Sequence, residues 1–307
     1  MLKRIYMIEY IFSLLLGFLG LWISADKTVD NAEKLIKALG IPSFIFGAVF
    51  ISVSTGLPEI ATAIISAYEG VPGLSAGDII GSSFVNLTLV LGAAVLTAKG
   101  ISLNNKDLDL VKASSRLTLL VVLVLLWFQN LSLGVIIILL GIYGIFLYQV
   151  EHETFEINES GEVAGKTVLL TFLGVLTLLI SARLMVHGAT NIASILDIPV
   201  ELIGATVVAV GTGLPELAFE TAAIKKGDTS LALGDIFGST LVNITLTLSI
   251  LGLISTLSLT ALLPVLSAIF LLSILILVFA SKKSFSRVQG VFLLIIFLFY
   301  VILQFII

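Results

Sequence analysis

Residues 47–59 read Gly-Ala-Val-Phe-Ile-Ser-Val-Ser-Thr-Gly-Leu-Pro-Glu, and residues 204–216 repeat the pattern as Gly-Ala-Thr-Val-Val-Ala-Val-Gly-Thr-Gly-Leu-Pro-Glu. Each copy lies in a long apolar run and ends on a glutamate. A charged side chain at the centre of a bilayer costs at least about 2.5–3.5 kcal/mol and usually marks an ion or substrate pathway. The repeat therefore predicts two related acidic positions inside a membrane.

The composition supports a membrane location for both copies. The chain has 307 residues, of which 58% are hydrophobic and only 12% charged, and its mean hydropathy is +1.19. Soluble domains keep about a quarter of their residues charged, so these values are typical of a polytopic membrane protein. The absence of cysteine excludes disulfides and thiolate metal sites. Sixteen scattered basic residues form no nucleic-acid-binding face.

Ten apolar stretches approach or exceed the roughly 20 residues that a membrane span requires. The predicted spans are 8–24, 43–68, 73–98, 113–128, 131–149, 166–185, 199–224, 230–256, 260–281 and 287–306. With the N-terminus outside, the inner loops carry thirteen of the sixteen Lys and Arg residues, and the outer side only three. This bias predicts that both termini lie outside.

The two copies are separated by a constant offset of 157 residues, which continues into the helix that follows each of them. Gly77-Asp78-Ile79 matches residues 234–236, Gly81-Ser82 matches 238–239, and Val85-Asn86 matches 242–243. Five spans precede the second copy, so it must lie upside down relative to the first. Inverted repeats around a site at the midplane are the architecture of secondary transporters.

We therefore predict an all-α polytopic membrane protein with ten transmembrane helices in two inverted five-helix repeats. The first repeat covers 1–150, with its motif at 47–92, and the second covers 166–307, with its motif at 204–252. Between them, 151–165 is an acidic cytoplasmic linker, for which weak attraction of Ca²⁺ is an alternative to a plain solvated loop.

Each repeated motif brings oxygen atoms to one point. Pro58 has no N–H, so the carbonyl of Ser54 loses its helical partner, while Thr55 and Glu59 are four residues apart and share a helix face. The second copy offers the same groups, which are Gly211, Thr212 and Glu216, with Pro215 and Gly213 beside them. An all-oxygen set suits a hard cation such as Ca²⁺, and the lack of nearby His and Cys argues against zinc or copper.

The helices after the motifs add a second set of polar residues. Asp78, Ser82 and Asn86 are spaced four residues apart, and the offset places Asp235, Ser239 and Asn243 in the same pattern. We predict that both trios line the cation site. Hydrogen bonds to a neighbouring helix are the alternative for the Ser and Asn residues, and a favourable charge at a helix N-terminus is the alternative for the two Asp residues.

The charges of the two glutamates favour antiport, and a third glutamate breaks the symmetry of the repeats. Two desolvated glutamates repel each other, so the empty site should resist crossing between inward and outward states, and one ion must return for another. Glu220 lies one turn beyond Glu216, where the first copy has Ala63. We predict that Glu220 lines the inner approach.

The twin Thr-Gly-Leu-Pro-Glu helices, each followed by Gly-Ser-x-x-x-Asn, resemble the two alpha repeats of the cation/Ca²⁺ exchanger superfamily, in particular prokaryotic Na⁺/Ca²⁺ exchangers. The resemblance implies a prokaryotic cell-membrane protein with ten helices, sliding of the first and sixth helices, and no ATP. It assigns Ca²⁺ binding to Glu59 and Glu216, further ligands to Thr55 and Thr212, and places Ser82 and Ser239 near Na⁺ sites.

Two departures from the family pattern bear on the counter-ion. Asn86 fits the pattern, whereas Asn243 stands where some members carry Asp, which argues against K⁺ co-transport. The family commonly has Ser at the positions of Gly56 and Gly213, so both copies lack a hydroxyl expected near Na⁺. Na⁺/Ca²⁺ exchange is our first hypothesis, and H⁺/Ca²⁺ exchange stays open.

Other functional classes fit the sequence less well. Asp78 and Asp235 lack the flanking residues of intramembrane aspartyl proteases, and a cation channel would need no inverted gate. The chain has no Walker loop, so no ATP-driven pump is expected. We therefore expect a transporter rather than an enzyme, with Ca²⁺ and Na⁺ or H⁺ as transported ions, the bilayer as its surroundings, and no cofactor or protein partner.

Overall fold

The computed structural model describes residues 2–38, 56–150, 165–227 and 229–306, and these form ten helices. Eight of the described helices are long and apolar enough to cross a bilayer, and two shorter ones are also apolar. The prediction of an all-α membrane protein with ten helices is confirmed. The helices are α1 Leu2–Ala38, α2 Leu57–Tyr68, α3 Pro72–Thr97, α4 Asn105–Phe128, α5 Leu133–Val150, α6 Gly165–Leu196, α7 Val200–Lys225, α8 Thr229–Ile254, α9 Leu263–Ala280 and α10 Arg287–Ile306.

Three helices extend well beyond the apolar stretches that predict them. α1 continues to Ala38 and α6 to Leu196, although their spans were predicted to end at 24 and 185. α4 begins eight residues before its predicted span, and the side chain of Asn104 caps it by accepting a bond of 2.9 Å from the backbone N–H of Asp107. Hydropathy marks the part of a helix that lies in lipid, whereas capping and helix propensity decide where the helix ends.

Pairing between loops shows that the two halves are inverted. The loop before α4 pairs with the loop before α10, through the antiparallel strands β1 Ile101–Ser102 and β2 Ser284–Phe285. The loop after α4 meets the loop after α8 through a bridge between Asn130 and Ser258. α4 separates the two contacts by 24 residues, or roughly 36 Å. Loops that correspond in the two repeats therefore lie at opposite surfaces.

Helices α1 and α6 pack against each other along their length, and small residues bring their backbones close. A Cβ atom at Gly17 would collide with Met185, and one at Gly174 would collide with Thr28. The offset of 157 relates these two contacts, since it converts Gly17 into Gly174 and Thr28 into Met185. Close approach through small residues is typical of helix packing in membranes.

The centre of the molecule is occupied by α3 and α8, whose spans are 83% and 72% buried, against 22% for α1 and 22% for α6. Each central helix contains one π-helical turn, at Asn86–Val90 in α3 and at Asn243–Thr247 in α8. Related threonines bond back to their own helix, Thr88 to the carbonyl of Phe84 and Thr245 to that of Leu241. Single π-turns within α-helices are frequent at functional sites.

Close contact between α3 and α7 joins the two repeats. A Cβ at Gly77 would strike the backbone of Glu201, and one at Gly204 would strike the backbone of Leu74. Gly204 begins the π-helical turn Gly204–Val208 of α7. The hydroxyl of Tyr300 in α10 donates a 2.7 Å bond to the buried carbonyl of Ala205 in the same turn. The beginning of the α7 motif is thus held against α3.

Candidate cation site

Glu59 enters the site from the first turn of α2. The described helix starts at Leu57, and Pro58 occupies a first-turn position, where its missing N–H leaves no internal helical bond unmade. Glu59 is only 1% exposed, and neither carboxylate oxygen has a hydrogen-bond partner. A negative charge in the first turn of a helix is stabilised by the helix dipole. The predicted Ser54 and Thr55 lie outside the described residues.

Glu216 enters from α7, which continues as a helix through Pro215. Because proline has no N–H, the carbonyl of Gly211 has no helical donor four residues later. Both carboxylate oxygens of Glu216 are buried without a hydrogen-bond partner, although the residue as a whole is half-buried. Glu59 and Glu216 are close enough for Coulombic repulsion. The two glutamates, one from each repeat, therefore lie within electrostatic range of each other.

A hydrogen-bonded cluster links Asp78 of α3 to α7. The hydroxyl of Thr212 lies 3.0 Å from Asp78 Oδ1, and the hydroxyl of Ser82 lies 3.3 Å from the same oxygen. The two hydroxyls are 3.2 Å apart. Asp78 Oδ2 has no partner, although Asp78 is fully buried. The cluster leaves one carboxylate oxygen free, and Asp78 is within Coulombic range of both glutamates.

The polar residues of α8 are arranged differently. Asn86 of α3 donates a 2.9 Å bond from Nδ2 to Ser239 Oγ, which joins the two central helices. The equivalent bond from Asn243 is not made, since both polar atoms of its buried side chain lack partners. Asp235 is half-buried and lies within Coulombic range of Glu216. Ser239 bonds to the carbonyl of Ile236 instead of to Asp235.

This region contains several buried oxygen atoms that have no hydrogen-bond partner. Buried polar groups are normally hydrogen-bonded, and exceptions call for an explanation such as a bound ion. Here the orphaned oxygens belong to Glu59, Asp78, Asn86, Glu216 and Asn243. Among the described residues, no three His, Cys, Asp or Glu side chains lie close enough together to hold a metal ion by themselves. A cation bound here requires hydroxyl, amide and carbonyl oxygens in addition to the carboxylates.

The structure also places the remaining candidates. The side chain of His187 contacts Asn191 within α6, and His152 lies outside the described residues. A Cβ at Gly213 would lie 4.0 Å from Glu216 Oε2, so this position adjoins the glutamate. Glu220 is 1% exposed, and neither of its oxygens has a partner. The counterpart of Glu220 in the first repeat is Ala63, which has no carboxylate, and this difference is the sequence signal that distinguishes Glu220.

Comparisons with known proteins agree with this architecture. Residues 9–150 and 166–306 match the family described as sodium/calcium exchanger protein. The chain is 32% identical over 234 residues to an uncharacterized membrane protein of Methanocaldococcus jannaschii, covering 75% of this chain and 77% of that protein. It is 33% identical over 253 residues to the putative antiporter CaxA of Alkalimonas amylolytica, covering 77% and 78%.

An exchanger and a solved structure extend the similarity. The sodium/calcium exchanger MaX1 of Methanosarcina acetivorans is 27% identical over 289 residues, covering 78% of this chain and 81% of that protein. A structure of the sodium-calcium exchanger NCX_Mj, soaked with Na⁺ and Sr²⁺, superposes with a TM-score of 0.66 at 28% identity, covering 95% of this chain and 97% of that one. The chain belongs to the sodium/calcium exchanger family of membrane antiporters.

Proposed function

We propose that the protein is a secondary active antiporter that exchanges Ca²⁺ for Na⁺ at a single site shared by Glu59 and Glu216. The observation that carries this proposal is the proximity of two carboxylates, one from each inverted repeat, whose four oxygens are all buried and unpartnered. Family membership supports the same function. The protein acts as a transporter, and no step requires a cofactor or ATP.

The donor set favours Ca²⁺ as the divalent ion. Ca²⁺ takes six to eight oxygen ligands in flexible geometry. The two glutamates supply up to four, and the free oxygens of Asp78 and Asn86, together with the carbonyl of Gly211, are further candidates. A divalent cation also neutralises two carboxylates that otherwise repel each other in a poorly solvated setting.

The same charges explain the obligatory exchange. An empty site would carry two unpaired negative charges through the middle of the membrane, and unpaired buried charges are strongly unfavourable. The transporter therefore crosses between its inward and outward states only when the glutamates are neutralised. Ca²⁺ leaves on one side, and monovalent ions or protons must replace it before the return.

Alternating access in this proposal uses the pair α1 and α6. These helices are the least buried of the spans in the first half of each repeat and contact each other through mirrored glycine positions. They contact α2 and α7 through fewer residues than they contact each other. Sliding of this pair as one unit would expose the shared site to each side in turn.

Na⁺ is our preferred counter-ion because hydroxyl and amide groups lie next to the glutamates, Thr212 beside Glu59 and Asn86 beside Glu216. Thr212 and Asn86 in turn contact Ser82 and Ser239. The MaX1 relative is named as a sodium/calcium exchanger. Gly56 and Gly213 lack the hydroxyl expected at their positions, so proton coupling through the glutamates is the second candidate.

Uptake of ⁴⁵Ca²⁺ into proteoliposomes distinguishes these candidates. Vesicles loaded with Na⁺ at equal pH on both sides should accumulate Ca²⁺, whereas Na⁺-free vesicles with an outward proton gradient should not. The opposite result would replace Na⁺ with H⁺ as the coupling ion. Equal uptake without either gradient would indicate a channel and overturn the antiport proposal.

We also propose that the protein lies in a prokaryotic cell membrane with both of its termini outside. The basic loops at Lys99 and Arg287 lie at one surface, where Arg287 Nε donates a 3.0 Å bond to the carbonyl of Lys99. The positive-inside rule makes this the cytoplasmic surface. Because the chain has no cysteine, a single cysteine introduced at either end can be tested with a membrane-impermeant thiol reagent.

A further inference from the structure

Glu220 is a buried carboxylate that the shared site of Glu59 and Glu216 does not use. It lies in α7, is 1% exposed, and has no hydrogen-bond partner for either oxygen. An unpaired ionised group in such a setting is costly unless something else neutralises it. A group of this kind calls for a partner, and the structure offers Asp235, another acid, at close range.

The geometry of α7 and α8 explains why Glu220 and Asp235 meet. Glu220 precedes the end of α7 at Lys225 by five residues, and Asp235 follows the start of α8 at Thr229 by six. At 1.5 Å per residue, each lies roughly 8–9 Å along its helix from the turn that joins the two helices. The two carboxylates are therefore at the same depth, and Glu216 is one turn deeper.

The partial exposure of Asp235 and Glu216 indicates a route to the shared site that passes beside Glu220. Asp235 and Glu216 are half-buried, whereas Glu59 and Asp78 in the other repeat are at most 1% exposed. Glu220 is within Coulombic range of both Asp235 and Glu216. Carboxylates thus form a continuous series from the end of the α7–α8 hairpin to the shared glutamates.

The route is present in one repeat only. The counterpart of Glu220 is Ala63, which is fully buried in the apolar core. Asp78, the counterpart of Asp235, has one oxygen engaged by Thr212 and Ser82. The first repeat therefore has no carboxylate at the position that corresponds to Glu220.

We infer that Glu220 and Asp235 form a second Ca²⁺ site, which loads the shared site from the membrane surface next to the α7–α8 turn. Two carboxylates offer up to four oxygens and two negative charges, which a divalent cation balances. The half-buried position of Asp235 admits water as the remaining ligands, and Ca²⁺ accepts such mixed coordination. This inference rests on the proposed transport of Ca²⁺.

Equilibrium binding of ⁴⁵Ca²⁺ to the purified full chain in detergent tests the second site directly. Glu59→Gln disables the shared site from the side remote from Glu220. We expect this variant to retain saturable Ca²⁺ binding with about one ion per chain, and Glu59→Gln combined with Glu220→Gln to bind none. Asp109→Asn, which removes an exposed carboxylate of α4, is the matched control and should leave the residual binding unchanged.

Three results would overturn the inference. They are the loss of all saturable binding in Glu59→Gln alone, equal binding in Glu59→Gln and the double variant, and a loss of residual binding in the Asp109→Asn control. Asp235→Asn in the Glu59→Gln background provides an independent variant of the same site, in case the Glu220 variant does not yield monodisperse protein. Wild-type transport of Ca²⁺ by Glu59→Gln would instead refute the proposed function, which keeps the two failures distinguishable.

A transport assay provides a second test. A purely structural role for Glu220 would not change the KM for Ca²⁺ at one surface alone. In vesicles of defined orientation, Glu220→Gln should raise the KM for Ca²⁺ several-fold at the surface next to the α7–α8 turn and leave the KM at the opposite surface unchanged. An equal change at both surfaces would place Glu220 in the shared site and contradict a one-sided loading site.

Discussion

The two central helices carry nearly the same polar sequence, yet their side chains have different partners. In α3, Asp78 is bonded to Ser82 and to Thr212 of the opposite repeat, and Asn86 reaches Ser239. In α8, Asn243 has no partner, and Asp235 is half-buried. The repeat dictates which groups are available, and the conformation decides which of them are paired.

This inequality is what an alternating-access transporter requires. If the two repeats had identical environments, the site would be equally open or equally closed to both sides. Asp78 and Asn86 of the first repeat make side-chain hydrogen bonds to the second repeat, whereas Asn243 of the second repeat makes none. We expect the two arrangements to be exchanged when the site opens to the opposite side, and the following predictions test where the repeats are equivalent and where they differ.

The largest expected effect is the loss of Ca²⁺ exchange, and it should be equal when either repeat loses its glutamate. Glu59→Gln and Glu216→Gln each remove one of the two charges that Ca²⁺ neutralises, a loss of about 3–5 kcal/mol by analogy with broken buried ion pairs. Both should reduce Ca²⁺ exchange at least about 100-fold in the proteoliposome assay. Gel filtration should show both variants folded. Wild-type uptake by either variant would remove that glutamate from the site.

The contact between α3 and α7 should be intolerant of added volume. Gly204→Ala places a methyl group against the backbone of Leu74 and Asp78, and overpacking of this kind costs about 1–3 kcal/mol. We expect a lower Tm in detergent by differential scanning fluorimetry. Gly134→Ala, at an exposed position of α5, is the control and should not lower the Tm. Equal Tm values for the two variants would argue against the close α3–α7 contact.

Substitution of the two equivalent asparagines should show whether the two repeats differ in their hydrogen bonds. Asn86→Leu breaks the bond to Ser239 and should destabilise the ion-free protein by about 1–2 kcal/mol, whereas Asn243→Leu removes two unpartnered buried atoms and should not destabilise it. Thermal unfolding without Na⁺ or Ca²⁺ measures the difference. Equal destabilisation would mean that the two repeats have the same hydrogen bonds in solution.

Thr212→Val tests the hydrogen-bonded cluster around Asp78 on its own. The variant keeps the shape of the side chain but removes the hydroxyl 3.0 Å from Asp78 Oδ1. A bond to a charged acceptor contributes about 1.5–3 kcal/mol, so the apparent Ca²⁺ affinity should change about tenfold or more. Thr171→Val, in α6 and bonded only within its own helix, is the control. An unchanged affinity would exclude a role of the Thr212 hydroxyl in the site.

The last prediction concerns the π-helical turn of α7 and expects no effect on ion coupling. Tyr300→Phe leaves the buried carbonyl of Ala205 without its donor, which costs about 1–3 kcal/mol of stability. The choice of Na⁺ or H⁺ as coupling ion should not change, because Tyr300 is not a ligand. A changed coupling ion in the ⁴⁵Ca²⁺ assay would show that the π-turn itself shapes the ion site.

The repeat offset and the hydropathy of the chain predict the architecture well. A constant spacing of 157 residues requires equal folds, and an odd number of spans before the second copy requires inversion, while hydropathy predicts the ten helices. The shared acidic site stays a prediction. The lengths of α1 and α6 do not follow, because helices continue into water beyond the apolar segment that identifies them.

The partners within the site are less predictable. The pattern places Asp78, Ser82 and Asn86 on one face, but it cannot show that Thr212 lies opposite Asp78 or that Asn86 meets Ser239 rather than Asn243. Those contacts depend on how α3, α7 and α8 are placed in one conformation. The burial of Glu220 is equally hard to predict, because the sequence distinguishes this residue only by the lack of a glutamate at the corresponding position of the first repeat.

The most direct test of the shared site is an anomalous scattering map from crystals grown with Sr²⁺ or Ca²⁺. We expect the strongest peak at about 2.3–2.6 Å from carboxylate oxygens of both Glu59 and Glu216. A strongest peak bound by the carboxylates of only one repeat would contradict the claim that the two halves form a single cation site.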